Sequence, residues 1–285
     1  MHSKKSALAA AAALAVGLGS AGTASAYVYA GSGLNLSNLT IGISPDSTNV
    51  DITSFNFTAT NTATLDGKSA VESNTCNGIP GAPGPTTNNC SGSTPRLDAP
   101  PANAPGGTVT RTNNSFTFFG PGSGEFANSD SVINTSELTG DKATNTQQIA
   151  ESQLVNGSAA SSNAEIQSTT GFTFKFTITS GGTLVLAFDA DPNLLTQIAE
   201  ANPGVFTAQS NVRTSFSLTQ DNGPGSVTWS PDGTGTNNCL VAGGTACTEN
   251  NDSQNLNTNV GVHANNTSAS NSPAGSTPFG ITVTG

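Results

Sequence analysis

Residues 171–188 read GFTFKFTITSGGTLVLAF, and their spacing decides the fold class. Phe172, Phe174, Phe176 and Ile178 share one parity, whereas Thr173, Lys175, Thr177 and Thr179 share the other. A strand sends successive side chains to opposite faces, so this alternation predicts a half-buried strand with an aromatic inner face. Gly181-Gly182 predicts a tight turn. The run Leu184-Val185-Leu186-Ala187-Phe188 has no polar interruption and predicts a central strand covered on both faces. Together the two segments predict a β-hairpin closed by Gly-Gly.

The same period recurs on either side. Phe55 and Phe57, Phe116 and Phe118, the series Val212, Thr214, Phe216 and Leu218, the pair Val227 and Trp229, and Phe279, Ile281 and Val283 each alternate with polar residues. Near the start, Leu34 and Leu36 share one parity and Leu39, Ile41 and Ile43 the other. A bulge near Ser37-Asn38 would bring both sets to the core. Two segments read as helices. In 191–200, Asp191 is placed as N-cap and Pro192 as first helical residue, with Leu194, Leu195, Ile198 and Ala199 on one face. In 141–154, Ala143, Gln147, Ala150 and Leu154 make a thinner stripe. The Pro- and Gly-rich stretch Cys76–Gly107 and the Asn-rich stretch Asn237–Ser276 read as long loops. With 40 Thr, 31 Asn and 32 Gly, composition favours strands and turns. The expected fold is all-β, an antiparallel β-sandwich-like arrangement (jelly-roll or immunoglobulin-like) with long loops and one or two short helices.

The first 26 residues follow the order of a secretory signal peptide: Lys4 and Lys5, an apolar stretch from Ala7 to Leu18, and Ala24-Ser25-Ala26. Cleavage is expected between Ala26 and Tyr27, leaving 27–285 as one β-rich extracellular domain, secreted or held at the outer cell surface. The apolar run is shorter than the roughly 20 residues a spanning helix needs, and no later segment is apolar enough to span. The mature chain would keep 6 basic and all 18 acidic residues. That balance excludes nucleic acid as a partner, because phosphate binding needs clustered Lys and Arg.

Cys76, Cys90, Cys239 and Cys247 form two local pairs, which suits an oxidising compartment. Four cysteines allow three connectivities. Cys76–Cys90 and Cys239–Cys247 are favoured because nearby thiols close small loops easily. Neither pair has the tight spacing of a zinc ribbon.

Catalytic chemistry is poorly represented. His2 leaves with the leader, so His263 would have to serve any Ser–His–Asp triad alone. No G-x-S-x-G sequence presents a serine. Gly67-Lys68-Ser69 imitates the end of a phosphate-binding loop, but Thr62 stands where its first glycine belongs. A non-enzymatic protein is expected. Asp189 and Asp191 are the metal candidates: a hard cation such as calcium wants several oxygens, and Asp221, Asn222 and Asp232 lie in other loops. The competing reading makes Asp191 a helix cap and Asp189 a solvated or turn-forming residue. Trp229, on an alternating strand position, reads as core rather than as a sugar platform.

The order YVYAGSGLNLSNLTIGI, LVLAFDADPNLL, VTWSPDG and STPFGITVTG resembles the exosortase-dependent surface proteins of Gram-negative bacteria. The resemblance implies an exported β-rich protein associated with extracellular polymer and biofilm matrix, with no catalytic residues to carry over. Members end in a PEP-CTERM sorting tail, which the sequence ending at Gly285 does not show. A truncated chain and a tail-less relative are the two expectations. The function expected is a structural protein of the bacterial surface or matrix. Its partners would be other matrix components or copies of itself, polymerised by strand addition at Leu34–Ile43 and Phe279–Val283. A calcium- or polysaccharide-binding module is the alternative.

Overall fold

A computed structural model describes residues 26–44, 50–65, 68–78, 88–93, 97–98, 115–121, 125–135, 144–155, 164–178, 182–199, 206–273 and 275–284. Among these residues the chain is antiparallel β with no helix. The strands are β1 (Tyr27–Ser44), β2 (Val50–Leu65), β3 (Lys68–Gly78), β4 (Asn88–Ser93), β5 (Leu97–Asp98), β6 (Phe126–Thr135), β7 (Thr144–Val155), β8 (Ala164–Ile178) and β9 (Thr183–Ala199). A C-terminal lobe follows: β10 (Ala208–Arg213), β11 (Phe216–Thr219), β12 (Ser226–Trp229), β13 (Leu240–Ala242), β14 (Ala246–Asp252), β15 (Asn257–Val262), β16 (Thr267–Asn271) and β17 (Thr277–Thr284). The main sheet has the order β14-β17-β9-β1-β7-β6-β4, with β16 also on β9 and β5 also on β6. Three smaller sheets, β3-β2-β8, β10-β15 and β11-β12-β13, complete the layers.

β1 shows why a broken pattern is still a strand. Its register slips between Leu36 and Leu39 against β7, and between Ser37 and Thr40 against β9. Asn38 sits in the left-handed region with φ 57°, where Asn is among the few tolerated side chains. The extra residue resets the parity, and Leu34, Leu36, Leu39, Ile41 and Ile43 are all buried. The expected bulge is therefore present.

The predicted helix at 191–200 is instead the second half of β9. Even-numbered residues from Leu184 to Ile198 are buried without a break in period. β1 supplies hydrogen bonds along the whole length, from Ser44 opposite Thr183 to Tyr27 opposite Ala199. That two-residue period outweighs the local cap signal. Pro192 lies opposite Leu34 on one side. On the other side it falls between the end of β17 at Ala190 and the start of β16 at Leu194. This gap is the place along β9 where a missing N–H costs least. The weaker predicted helix, 141–154, is β7 from Thr144 onward, paired on both edges by β1 and β6.

The predicted Gly-Gly hairpin does not form either. β8 pairs with β2 and β9 pairs with β1, so the two segments belong to different sheets, and residues 179–181 between them lie outside the described residues. Gly182 passes so close to the end of β1 that a Cβ there would lie 2.3 Å from Ile43 Cγ2. β9 is central as predicted, but only one face is fully covered, since Val185 and Ala187 are half-buried. The expected single strand through 212–218 divides into β10 and β11, in different sheets. The Asn-rich stretch read as a loop contains β13, a short exposed apolar strand, and β14 to β16, whose many polar side chains hide the strand period. The described parts of Cys76–Gly107 are likewise strands: the end of β3, β4 and β5.

One face of β6 and β7 carries the β2/β8 sheet. Asn61 Nδ2 donates to Ser131 Oγ at 2.8 Å, Ser129 Oγ to the Thr62 carbonyl at 3.2 Å, and Ser168 Oγ to the Asp130 carbonyl at 3.0 Å. The opposite face carries residues 115–120, predicted as a strand but running as an extended strap. Phe118 lies over Gly31 and Gly33, where a Cβ would meet its ring at 3.0 and 3.6 Å. Under the lobe, the core is aromatic: Phe188 stacks on Phe279 at 5.1 Å and meets Phe216 at 4.9 Å and Trp229 at 5.8 Å. Each of the fully buried rings, Phe188, Phe279 and Trp229, contributes about 1.5–3 kcal/mol.

Candidate functional site

Asp189 and Asp191 lie on the outer, odd-numbered face of β9, two residues apart and away from any helix end. Asp191 is therefore not a cap. Asn38 Nδ2 donates to Asp189 Oδ2 at 2.7 Å, and the Asn38 N–H donates to Asn145 Oδ1 at 3.1 Å. Burial pushes the Asp191 carboxyl above its ordinary value. The other oxygens proposed from sequence are elsewhere. Asp221 is ion-paired with Lys175 at 3.5 Å, with both side chains largely exposed. Asp232 belongs to a cluster on the opposite side of the main sheet. Among the described residues no group of three or more His, Cys, Asp or Glu is arranged to hold a metal ion.

That second cluster is the most concentrated polar chemistry in the lobe. β14 carries its own register shift, between Glu249 and Asn251, against β17. Before it Glu249 faces with Ile281, and after it Asp252 faces with Phe279, so both carboxylates point to the inner side. Asp252 is 5% exposed. Its Oδ2 accepts the N–H groups of Asp232 and Gly233, both at 3.0 Å. Gly233 has φ +75°, and a Cβ there would lie 2.6 Å from the Asn255 nitrogen, so only glycine fits the turn. Glu249 Oε1 accepts the indole N–H of Trp229 at 2.5 Å, and its Oε2 accepts the Asn238 N–H at 3.3 Å. Asp232 Oδ1 accepts from the Thr234 N–H at 3.0 Å and hydroxyl at 2.7 Å. These bonds hold the Asp232 carboxyl below its ordinary value. Burial, followed by the Glu249 carboxylate beside it, pushes Asp252 up to about 6.

Two further acids anchor the strap. The Phe119 N–H donates to both oxygens of Glu151, at 3.0 and 3.1 Å, and the Tyr29 hydroxyl donates to its Oε2 at 2.9 Å. The Ser115 N–H donates to Asp130 Oδ2 at 3.2 Å. Sequence reading missed Glu151, Asp130, Glu249 and Asp252. Glu151 and Asp130 sit in polar runs with no apolar period, and the parity change that unites Glu249 with Asp252 leaves no hydrophobic trace.

Cys239 and Cys247 are disulfide-bonded, with Cα atoms 6.0 Å apart. The bridge closes the segment that carries β13. Cys76 is also disulfide-bonded. Cys90 lies in β4, and its side chain is outside the described residues. His263 is exposed, with Nδ1 3.3 Å from the Thr207 hydroxyl. Trp229 is fully buried, as its alternating position predicts. The leader, to residue 25, lies outside the described residues. Ala26 is buried, and Tyr27 opens β1, paired to both Val155 and Ala199. Among the described residues no helix is long and apolar enough to cross a membrane.

No family model, no curated protein and no solved structure matches this chain.

Proposed function

We propose that the chain is a non-enzymatic structural protein exported to the bacterial surface or extracellular matrix. The Cys239–Cys247 bridge is the observation that carries this reading. Disulfides persist in oxidising compartments, and here one stands downstream of a leader-like sequence. Long antiparallel sheets with polar outer faces suit a load-bearing or coating role in water. The test is expression of the full chain in a Gram-negative host, followed by fractionation, N-terminal sequencing and thiol labelling. The expected product begins at Tyr27, is recovered from the surface or medium, and has no reactive thiols until reduced. A cytoplasmic product beginning at Met1 with free thiols would contradict the reading.

A second reading, assembly of copies by strand addition, is supported by different strands from those the sequence suggests. Leu34–Ile43 lies within β1, between β7 and β9, and Phe279–Val283 lies within β17, between β14 and β9. β3 and β8, 11 and 15 residues long, are each paired in their sheet to β2 alone. Pairing β3 of one copy with β8 of the next would be heterologous and so give an open filament. Electron microscopy of concentrated mature protein checks it. Monodisperse particles alone would remove this reading.

A further inference from the structure

We infer that Asp252, Glu249 and Asp232 form a one-proton site through which solution acidity controls how tightly β12 and the turn after it seat on β14 of the main sheet. The geometry singles out the atom that takes the proton. Asp252 is 5% exposed, and its Oδ1 has no hydrogen-bond partner, whereas Oδ2 accepts two backbone N–H groups. A buried oxygen left in that state is costly. Glu249 accepts on both oxygens from Trp229 and Asn238, and the bonds from Thr234 hold the Asp232 carboxyl below its ordinary value. A proton on Asp252 Oδ1 turns that lone acceptor into a donor toward a neighbouring carboxylate and removes one of three like charges.

The groups around the site leave the proton as the neutralising species. β14 contributes Glu249, and the segment after β12 contributes Asp232. Opposite Asp252 and Glu249, β17 presents Phe279 and Ile281, which do not ionise. The residue bridged to Asp232 is Asn255, also neutral. The neighbouring cysteines are tied up in their disulfide. Among the described residues no Lys, Arg or His is ion-paired to any of the three acids, and they do not form a metal cluster.

The same acids tie β12 and the turn after it to β14 of the main sheet. Asp252 holds the backbone at Asp232 and Gly233, and Glu249 holds the ring of Trp229, which packs on Phe188 and Phe216. In the folded chain the Asp252 carboxyl is pushed up to about 6, from an ordinary 3.8. Folding therefore takes up a proton between those values. Its stabilising effect is complete below the ordinary carboxylate range and is lost as pH rises through about 6.

Trp229 is the only tryptophan in the chain, so its fluorescence reports the site directly. The experiment is an emission titration of the full chain from about pH 4 to 8, with far-UV circular dichroism recorded in parallel. The expected result is one transition with a midpoint near pH 6 while the strand signal holds constant. Asp252→Asn should abolish it and keep the acid-form emission at high pH. Glu249→Gln, which removes the neighbouring charge, should move the midpoint to lower pH, and it serves if the Asp252 variant does not fold. His263→Gln should leave the transition in place. A flat titration, a transition lost in His263→Gln, or one retained in Asp252→Asn would overturn the inference. So would millimolar Ca²⁺ reproducing the acid-form emission at high pH, since the site would then take a metal ion instead.

Discussion

In β1 the register slips between Leu36 and Leu39, and in β14 it slips between Glu249 and Asn251. Each slip turns the rest of its strand over by one residue. In β1 it places five Leu and Ile side chains on one buried face, two of them before the bulge and three after. In β14 it brings two carboxylates to the inner side, where Asp252 is almost completely buried. The backbone device is shared, but the contents have opposite energetics. Burying the Leu and Ile set is favourable by itself. Burying carboxylates is tolerable only with donors and a means of neutralising charge. One bulge therefore serves the stability of the fold, and the other makes part of that stability conditional on pH.

Shifting the parity of each strand by one inserted residue separates these roles most sharply. Inserting one alanine between Leu39 and Thr40 would turn Ile41 and Ile43 toward the outer face. The central strand of the main sheet would lose a large part of its buried side, so no folded protein is expected. A cooperative melt and native-like circular dichroism in that variant would break the comparison. Next in size is Ile41→Ala, in a side chain 1% exposed. It should cost about 2–5 kcal/mol in chemical denaturation, with little change in the slope. Opening the lobe by replacing Cys239 and Cys247 with serine should cost about 2–3 kcal/mol by loop entropy. Its effect should concentrate on the protection of β12 to β14 in hydrogen exchange.

Smaller effects test the acid side. Stability measured by calorimetry should be higher near the ordinary carboxylate value of 3.8 than above about 6, because Asp252 releases its proton as the pH rises across that window. Inserting one alanine between Asn251 and Asp252, which turns Asp252 outward, should flatten this dependence while leaving the main sheet folded. Least disruptive is Asn38→Gly. Glycine accepts the positive φ, so only the bond to Asp189 is lost, and the cost should stay under about 1 kcal/mol in thermal unfolding.

Much of the fold is legible in the sequence where apolar residues keep a period of two. The Leu and Ile parities of β1 reveal a bulge, and Phe279, Ile281 and Val283 define β17. The burial of Trp229 follows from the same rule. Legibility fails in two ways. At 191–200 a good cap and an apolar stripe mimic a helix, yet the partner strand runs the full length of β9 and wins. In β7 and in β14 to β16 most side chains are polar, and the three apolar residues of β13 are exposed, so nothing in their spacing distinguishes strand from loop. For the candidate sites, the 239–247 pairing follows from proximity in the chain. The acids that hold the strap and the lobe do not, because their partners are up to 122 residues away.

By itself the sequence determined the strand period, the β class, the 239–247 bridge and the parity change at Asn38. These are local properties, set by side-chain alternation and short chain separations. Only the tertiary structure decided that residues 171–188 divide between two sheets instead of closing a hairpin, that β9 runs through Pro192, and that Asp252 is buried beside Glu249. Each of those outcomes depends on which distant strand offers its hydrogen bonds and its apolar face. No local pattern records that choice.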